Sequence, residues 1–232
     1  MRYLPFGLCL KEARNKAVAN EANALRLVEA NTDIPAPKFI DLALQDEKTG
    51  FLLMTRVHGD LLDDVFYRMT DEERKTLGKD LGKCITQLRS IPNKSEHAVT
   101  NTLGGPAFDH RFEDKQCGPY AAVTEFHDYL TENLEKERVE RPLSALYEKK
   151  HRSLFTHSDL HRTNIFVKKG RLAGIVDWEH AGYKPEFWEY TKALWPYFAD
   201  RDQKDVMREA FEEDYEDELA AEEMLWRVKP VF

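Results

Sequence analysis

Three oxygen-bearing side chains stand at a spacing that suits phosphoryl transfer. Asp159 and Asn164 share the run His157-Ser158-Asp159-Leu160-His161-Arg162-Thr163-Asn164, and Asp177 follows in Ile175-Val176-Asp177-Trp178-Glu179. A carboxylate held in a loop can accept the proton of an attacking hydroxyl. An amide oxygen and a second carboxylate are hard donors of the kind that suit Mg²⁺ among phosphate oxygens. Between the two motifs, Ile165-Phe166-Val167 and residues 172–176 bracket Lys169-Gly170, which reads as a β-hairpin returning Asp177 to the edge the loop leaves. Asp and Asn also favour turns, so the same residues could merely cap local backbone. The alternation His157-x-Asp159-x-His161 offers transition-metal donors as well, but no further His or Cys follows at ligand spacing. His157 is read as bracing the loop, and the role of His161 stays open.

The elements that must carry these residues follow from periodicity. Residues 6–11, ending in Lys11, read as a short strand, and residues 15–30 as a helix with Val18, Ala22, Leu25 and Val28 or Glu29 at helical spacing. Asn31-Thr32-Asp33, Pro35 and Pro37 stop that helix, and strands are predicted over 38–44 and 50–57. Beyond His58-Gly59-Asp60 the pattern becomes mainly helical. Thr70 followed by Asp71, Glu72 and Glu73 has the chemistry of a capping box, and Leu77, Leu81, Cys84, Ile85 and Leu88 give the helix a buried face up to Pro92. Residues 93–119 form a long Gly-, Pro-, Asn- and His-rich connection, long enough to be a functional loop. Helices are predicted over 123–137 and 143–150, and again from Pro185 to the end. The acidic run between Asp202 and Glu223 reads as a solvated helix face over buried Val206, Phe211, Leu219 and Leu225.

Composition bounds the partners. A net charge of −8 argues against a general nucleic-acid binder, because phosphate backbones attract basic surfaces. Cys9, Cys84 and Cys117 show no C-x-x-C or metal-ligand spacing, so a reducing, cytoplasmic setting is expected. The apolar run from Tyr3 to Leu10 is interrupted by Pro5 and Gly7 and lacks a small-residue cleavage site, which argues against a signal peptide. No apolar stretch approaches the roughly 20 residues that span a bilayer, so no membrane partner is expected.

The Asp159-to-Asn164 spacing matches the protein-kinase catalytic loop H-R-D-x-x-x-x-N, and Asp177 stands where the D-F-G aspartate would. More broadly, the sequence resembles the aminoglycoside phosphotransferase and choline kinase-like family, especially fungal members of unassigned substrate. The resemblance rests on H-S-D-L-H-x-x-N-I, I-V-D-W-E-x-A-G and the following Gly182 to Glu189. It extends back through Leu53-Met54-Thr55-Arg56-Val57-His58-Gly59, Ile34-Pro35-Ala36-Pro37, Asn20-Glu21-Ala22 and the strand ending in Lys11.

It implies an α+β, two-lobed protein-kinase-like fold, with residues 1–57 as nucleotide-binding lobe and hinge and residues 58–232 as helical lobe. It implies Asp159 as catalytic base, and Asn164 and Asp177 as Mg²⁺ ligands. Lys11 would hold the ATP phosphates, oriented by Glu21, and Thr55, Arg56 and Val57 would receive the adenine. The partners implied are ATP and a small-molecule acceptor. Such folds place two strands and a glycine-rich turn before the lysine strand. With ten residues ahead of Lys11, the N-terminal lobe is expected to be truncated, lacking its first two strands and that loop. Two function classes follow: an ATP-dependent kinase of a small hydroxylated metabolite, or a catalytically impaired nucleotide-binding protein that retains the scaffold.

Overall fold

A computed structural model describes the 232-residue chain except for residues 47, 113–114, 133–142, 144–145, 147–148, 195–200 and 229–232. Its first layer is a four-stranded antiparallel sheet in the spatial order Arg2–Leu4, Leu8–Ala13, Gly50–Thr55, Phe39–Leu44. Along Gly50–Thr55 buried Leu52 and Met54 alternate with half-buried neighbours, as a strand covered on one face requires. The cover is the Asn15–Asn31 helix, whose Val18, Ala22, Leu25 and Val28 are all buried. Lys11 lies inside the Leu8–Ala13 strand, opposite Leu52.

One expectation about this lobe is corrected. Gly7 was assigned to the lysine strand, yet it sits in a tight turn over Pro5–Gly7 with φ of 71°, and Phe6 is left-handed at 63°. Glycine meets that backbone requirement without a Cβ clash. The turn lets Arg2–Leu4 fold back on Leu8–Leu10. Thus one short strand precedes the lysine strand among the described residues.

The remaining layers are mainly helical, with short sheets at the site. Thr70 starts the Asp71–Arg89 helix: its Oγ1 accepts from the Glu73 N–H at 3.3 Å, while the Glu73 carboxylate accepts the Thr70 N–H at 2.8 Å. Such caps stabilise by about 1 kcal/mol. The helix buries Leu77, Leu81, Cys84, Ile85 and Leu88. Phe112, Phe126 and Trp188 interlock in the core, with ring centroids 5.1 to 5.9 Å apart. The Ile165–Lys168 and Arg171–Ile175 hairpin forms, with Asp60–Leu61 added at its edge. Among the described residues no helix is long and apolar enough to cross a membrane.

Three further expectations change. Residues 182–185 form a strand, Gly182–Pro185, between Ser153–Thr156 and Thr100–Asn101, and helix resumes at Trp188–Leu194. The 93–119 connection carries three two-residue strands: Thr100–Asn101, Ala107–Phe108 and Gln116–Cys117. The predicted 123–137 helix is observed as Val123–Thr131; its last five residues, and four of the eight in 143–150, lie outside the described residues.

The acidic run is also not wholly solvated. Leu219 and Leu225 are buried and Phe211 is half-buried, but Glu218 and Glu222 are buried too. Glu218 accepts from Lys149 Nζ at 2.9 Å, and Glu222 from Arg111 Nε at 3.2 Å. Charge can be buried only where a partner offsets desolvation, and those partners come from distant segments. Removing one member of a buried pair strands the other, at about 3–5 kcal/mol. Arg111→Met is therefore expected to lower unfolding stability by about that amount. A urea unfolding curve displaced by less than about 1 kcal/mol would contradict the pairing.

Candidate active site

The Ser153–Thr156 strand delivers the chain into the Asp159 loop, and the loop is anchored from below. Ser158 takes a left-handed φ of 68°, turning the backbone so that the His157 and Ser158 N–H groups both point at the buried Glu189 carboxylate, 2.5 and 3.2 Å away. Thr156 Oγ1 donates to the same carboxylate at 2.5 Å. His157 Nδ1 accepts the Asp159 N–H at 3.2 Å and its Nε2 lies 3.0 Å from the Val176 carbonyl. The bracing expected of His157 is therefore realised in geometry.

Asp159 and Asn164 are brought together. Asn164 Nδ2 donates to the Asp159 carbonyl and to its Oδ2, both at 2.9 Å, while His161 Nε2 lies 3.1 Å from Oδ1. Thr163 Oγ1 is 2.7 Å from His161 Nδ1, so a hydroxyl donating there leaves Nε2–H free to donate to Asp159. Burial opposes ionisation of Asp159, but the hydrogen bond from His161 and the fields of His161, His157 and His180 outweigh it, holding the carboxyl well below its usual range. Val176 N–H donates to the Asn164 carbonyl at 2.9 Å, which locks the hairpin exit to the loop one residue before Asp177.

Lys11 reaches across to that exit. Its Nζ lies 2.6 Å from Asp177 Oδ1, 2.7 Å from Glu21 Oε2 and 2.9 Å from Glu179 Oε2. Burial works against the ammonium charge, yet the three carboxylates dominate and raise the Lys11 pKa. Burial pushes fully enclosed Glu21 upward, with Lys11 pulling it back. Glu21 Oε1 also accepts the Trp178 N–H at 3.3 Å, tying the Asn15–Asn31 helix to the segment after Asp177. Asp177 itself is left-handed, φ 65°, a conformation Asp tolerates better than most side chains.

Of the three expected adenine contacts, two backbone donors are already engaged. Thr55 N–H donates to the Lys38 carbonyl at 2.9 Å and Arg56 N–H to Gly7 at 2.7 Å. The Arg56 guanidinium stacks 4.3 Å over the Tyr3 ring. A Cβ on Gly174 would sit 2.7 Å from Val57 Cγ1, so this glycine is what lets residue 57 pack on the hairpin.

Several site residues escaped the sequence reading. Glu179 stands in the I-V-D-W-E-x-A-G run without an assigned role, yet it is the third carboxylate on Lys11. Asn20, fully buried, donates to the Glu179 and Ala181 carbonyls at 2.9 Å and accepts from Thr102 N–H at 2.9 Å. Lys184, also fully buried, donates to Ser158 Oγ, the His180 carbonyl and the Phe108 carbonyl at 2.5, 2.7 and 3.0 Å. Burial depresses its pKa to about 8, with Asp109 opposing. It thus ties the Asp159 loop, the segment after Asp177 and the 93–119 connection into one unit. His110 and His180 meet edge to face, centroids 4.2 Å apart, and their ring nitrogens lie within 4.8 Å of an Asp159 oxygen. Asn20, Glu179 and Lys184 stand inside the motifs that carry the resemblance, but their partners are distant in sequence, so only the fold exposes what they hold.

A model of the family described as "Phosphotransferase enzyme family" matches residues 7–225. No curated protein matches the chain. Among solved structures, the apo form of a thermostable mutant of aminoglycoside phosphotransferase APH(4)-Ia superposes with a TM-score of 0.60 at 15% identity, over 87% of this chain and 68% of that one. The GDP and kanamycin complex of an aminoglycoside 2″-phosphotransferase superposes with a TM-score of 0.60 at 15% identity, over 91% and 72% of the two chains. A ternary complex of the APH(4)-Ia enzyme with ADP and hygromycin B gives 0.61 at 14% identity, over 94% and 75%. At such identities the superpositions establish a shared kinase-like α+β fold. With the family model spanning nearly its whole length, the chain belongs to the phosphotransferase enzyme family.

Proposed function

We propose that the protein transfers the γ-phosphoryl group of ATP to a hydroxyl of a small molecule. The observation that carries this reading is the convergence of Lys11, Glu21, Asp177 and Glu179 within 2.9 Å contacts, beside the hydrogen-bonded Asp159–Asn164 pair. Residues 1–57 serve as nucleotide lobe and hinge, and residues 58–232 as the lobe that carries the chemistry. Adenine lies against Thr55, Arg56 and Val57. Lys11, kept charged by its carboxylates, pairs with the phosphates, and Glu21 holds it in place. A reducing cytoplasm suits the three free buried thiols.

The donor set fits Mg²⁺: Asn164 and Asp177 offer oxygens, and carboxylate atoms of Glu21, Asp177 and Glu179 lie within 4.8 Å of one another. The ion would neutralise phosphate charge there. Asp159, ionised and fixed by two donors, takes the acceptor proton. The acceptor oxygen forms its bond to the γ-phosphorus as the bond to the bridging oxygen breaks, its electron pair leaving on ADP. Positioning and charge neutralisation supply most of the rate.

The test is thermal melting with MgATP. At about 100-fold above its dissociation constant, a ligand of the native state adds about 2.7 kcal/mol, which is roughly 5 °C or more for a chain of this size. A melting temperature unmoved at saturating MgATP rules out nucleotide binding and with it this function.

A further inference from the structure

Beside the proposed centre lies a cavity of about 230 Å³, between the start of the Asn15–Asn31 helix and the 107–117 hairpin. Arg14, Lys16 and Lys115 line it, with Asn15, Glu179 and His180. Among the described residues no carboxylate pairs with any of the three cations; Glu113 and Asp114, which precede Lys115, lie outside those residues. Glu179, the acid in the wall, is 2.9 Å from Lys11, an ammonium it shares with Glu21 and Asp177. The helix start adds to the positive field: it has no side-chain cap and no acidic residue in its first turn. Asn15 Oδ1 is buried with no hydrogen-bond partner, while its Nδ2 donates to the Asp46 carbonyl at 2.8 Å. His180 connects this wall to the chemistry, because its ring nitrogen lies within 4.8 Å of the Asp159 carboxylate.

A polyamine would meet three cations that have no carboxylate partner among the described residues, whereas an anion would be drawn in, although the chain as a whole carries a net charge of −8. The space corresponds to about eight waters at about 30 Å³ each, enough for a small acceptor. Resting on the kinase reading above, we infer that the acceptor is a small anionic alcohol, a hydroxyl on a carboxylate- or phosphate-bearing metabolite, held by Arg14, Lys16 and Lys115. Its hydroxyl oxygen bonds to the γ-phosphorus, its proton passes to Asp159, and ADP leaves with the electron pair of the broken bond.

The experiment is calorimetric titration of the full chain, with and without saturating Mg²⁺ and AMP-PNP, using glycerate, glycerol 3-phosphate, glycerol and kanamycin as probes. Glycerate or glycerol 3-phosphate is expected to bind, and which of the two binds more tightly tells carboxylate from phosphate. Glycerol and kanamycin are expected not to bind. The paired change Lys16→Glu with Lys115→Glu should weaken anion binding at least tenfold. The milder Lys16→Gln with Lys115→Gln serves if the first pair fails to fold, and should weaken it severalfold. Binding of neither anion, kanamycin binding more tightly than both, or anion binding indifferent to these changes would each overturn the inference. Failure of AMP-PNP to bind counts against the kinase reading alone, since the anion titration without nucleotide still decides the acceptor class.

Discussion

Asp159→Asn is expected to leave MgATP binding in place while lowering kcat by about 10²–10⁴-fold, the usual contribution of a general base. The side chain is nearly isosteric, so any loss reflects chemistry and hydrogen bonding rather than space. Asp159 accepts from Asn164 Nδ2 on one oxygen and faces His161 Nε2 with the other. An amide can accept on one side only, so a donor meets a donor on the other, at a cost of about 1–3 kcal/mol in stability. The native carboxyl pKa is depressed. Its stabilising contribution is therefore present above the unfolded value of about 3.9 and is lost as pH falls through the folded value. The stability gap between native protein and variant should narrow in that acidic window. Acceptor-dependent ADP release at the native rate from the variant would remove Asp159 as base. A native protein that binds MgATP yet releases no ADP with any acceptor would instead favour the non-catalytic scaffold.

Asp177 is expected to show the opposite division of effects. Asp177→Asn and Asp177→Ala should both abolish the magnesium-dependent part of the ATP melting shift, because each removes the carboxylate offered to the metal. They should differ without ligand. Position 177 is left-handed at φ 65°, which Asn tolerates and Ala adopts at about 1–2 kcal/mol. Only the alanine variant should therefore melt measurably lower in the absence of nucleotide. Lys11 keeps Glu21 and Glu179 as partners in both variants, which limits the damage to the apo protein. A full MgATP shift in Asp177→Asn would sink the metal assignment, and identical apo stability of the two variants would contradict the backbone argument.

Much of this arrangement is written locally in the chain. The Asp159-to-Asn164 loop and the hairpin that leads to Asp177 are short-range features, set by turn residues and strand alternation within about twenty positions. The capping box at Thr70 and the buried stripe of the Asp71–Arg89 helix are equally local, and both are present as expected. The Lys11–Glu21 pair was reached by resemblance, since a lysine on a strand and a glutamate on a helix are ordinarily surface residues.

What the tertiary structure alone decided is where the long-range charges go. Lys11 meets Asp177 across 166 positions, and Glu179 joins them although its place in the motif gave it no role. Gly182–Pro185 is a strand because Ser153–Thr156 and Thr100–Asn101 satisfy its backbone groups, a partnership that proline and glycine content would not suggest. Glu218 and Glu222 look like two more acids in a solvated run, yet distant Lys149 and Arg111 allow them to be buried. The physical reason is the same in each case. Turns, caps and amphipathic stripes are energies of neighbouring residues, whereas the desolvation of a charge or a polar group is offset only by partners the fold supplies. The sequence by itself thus determined the Asp159-to-Asn164 loop and its hairpin, and the folded chain decided how Lys11 is shared among three carboxylates.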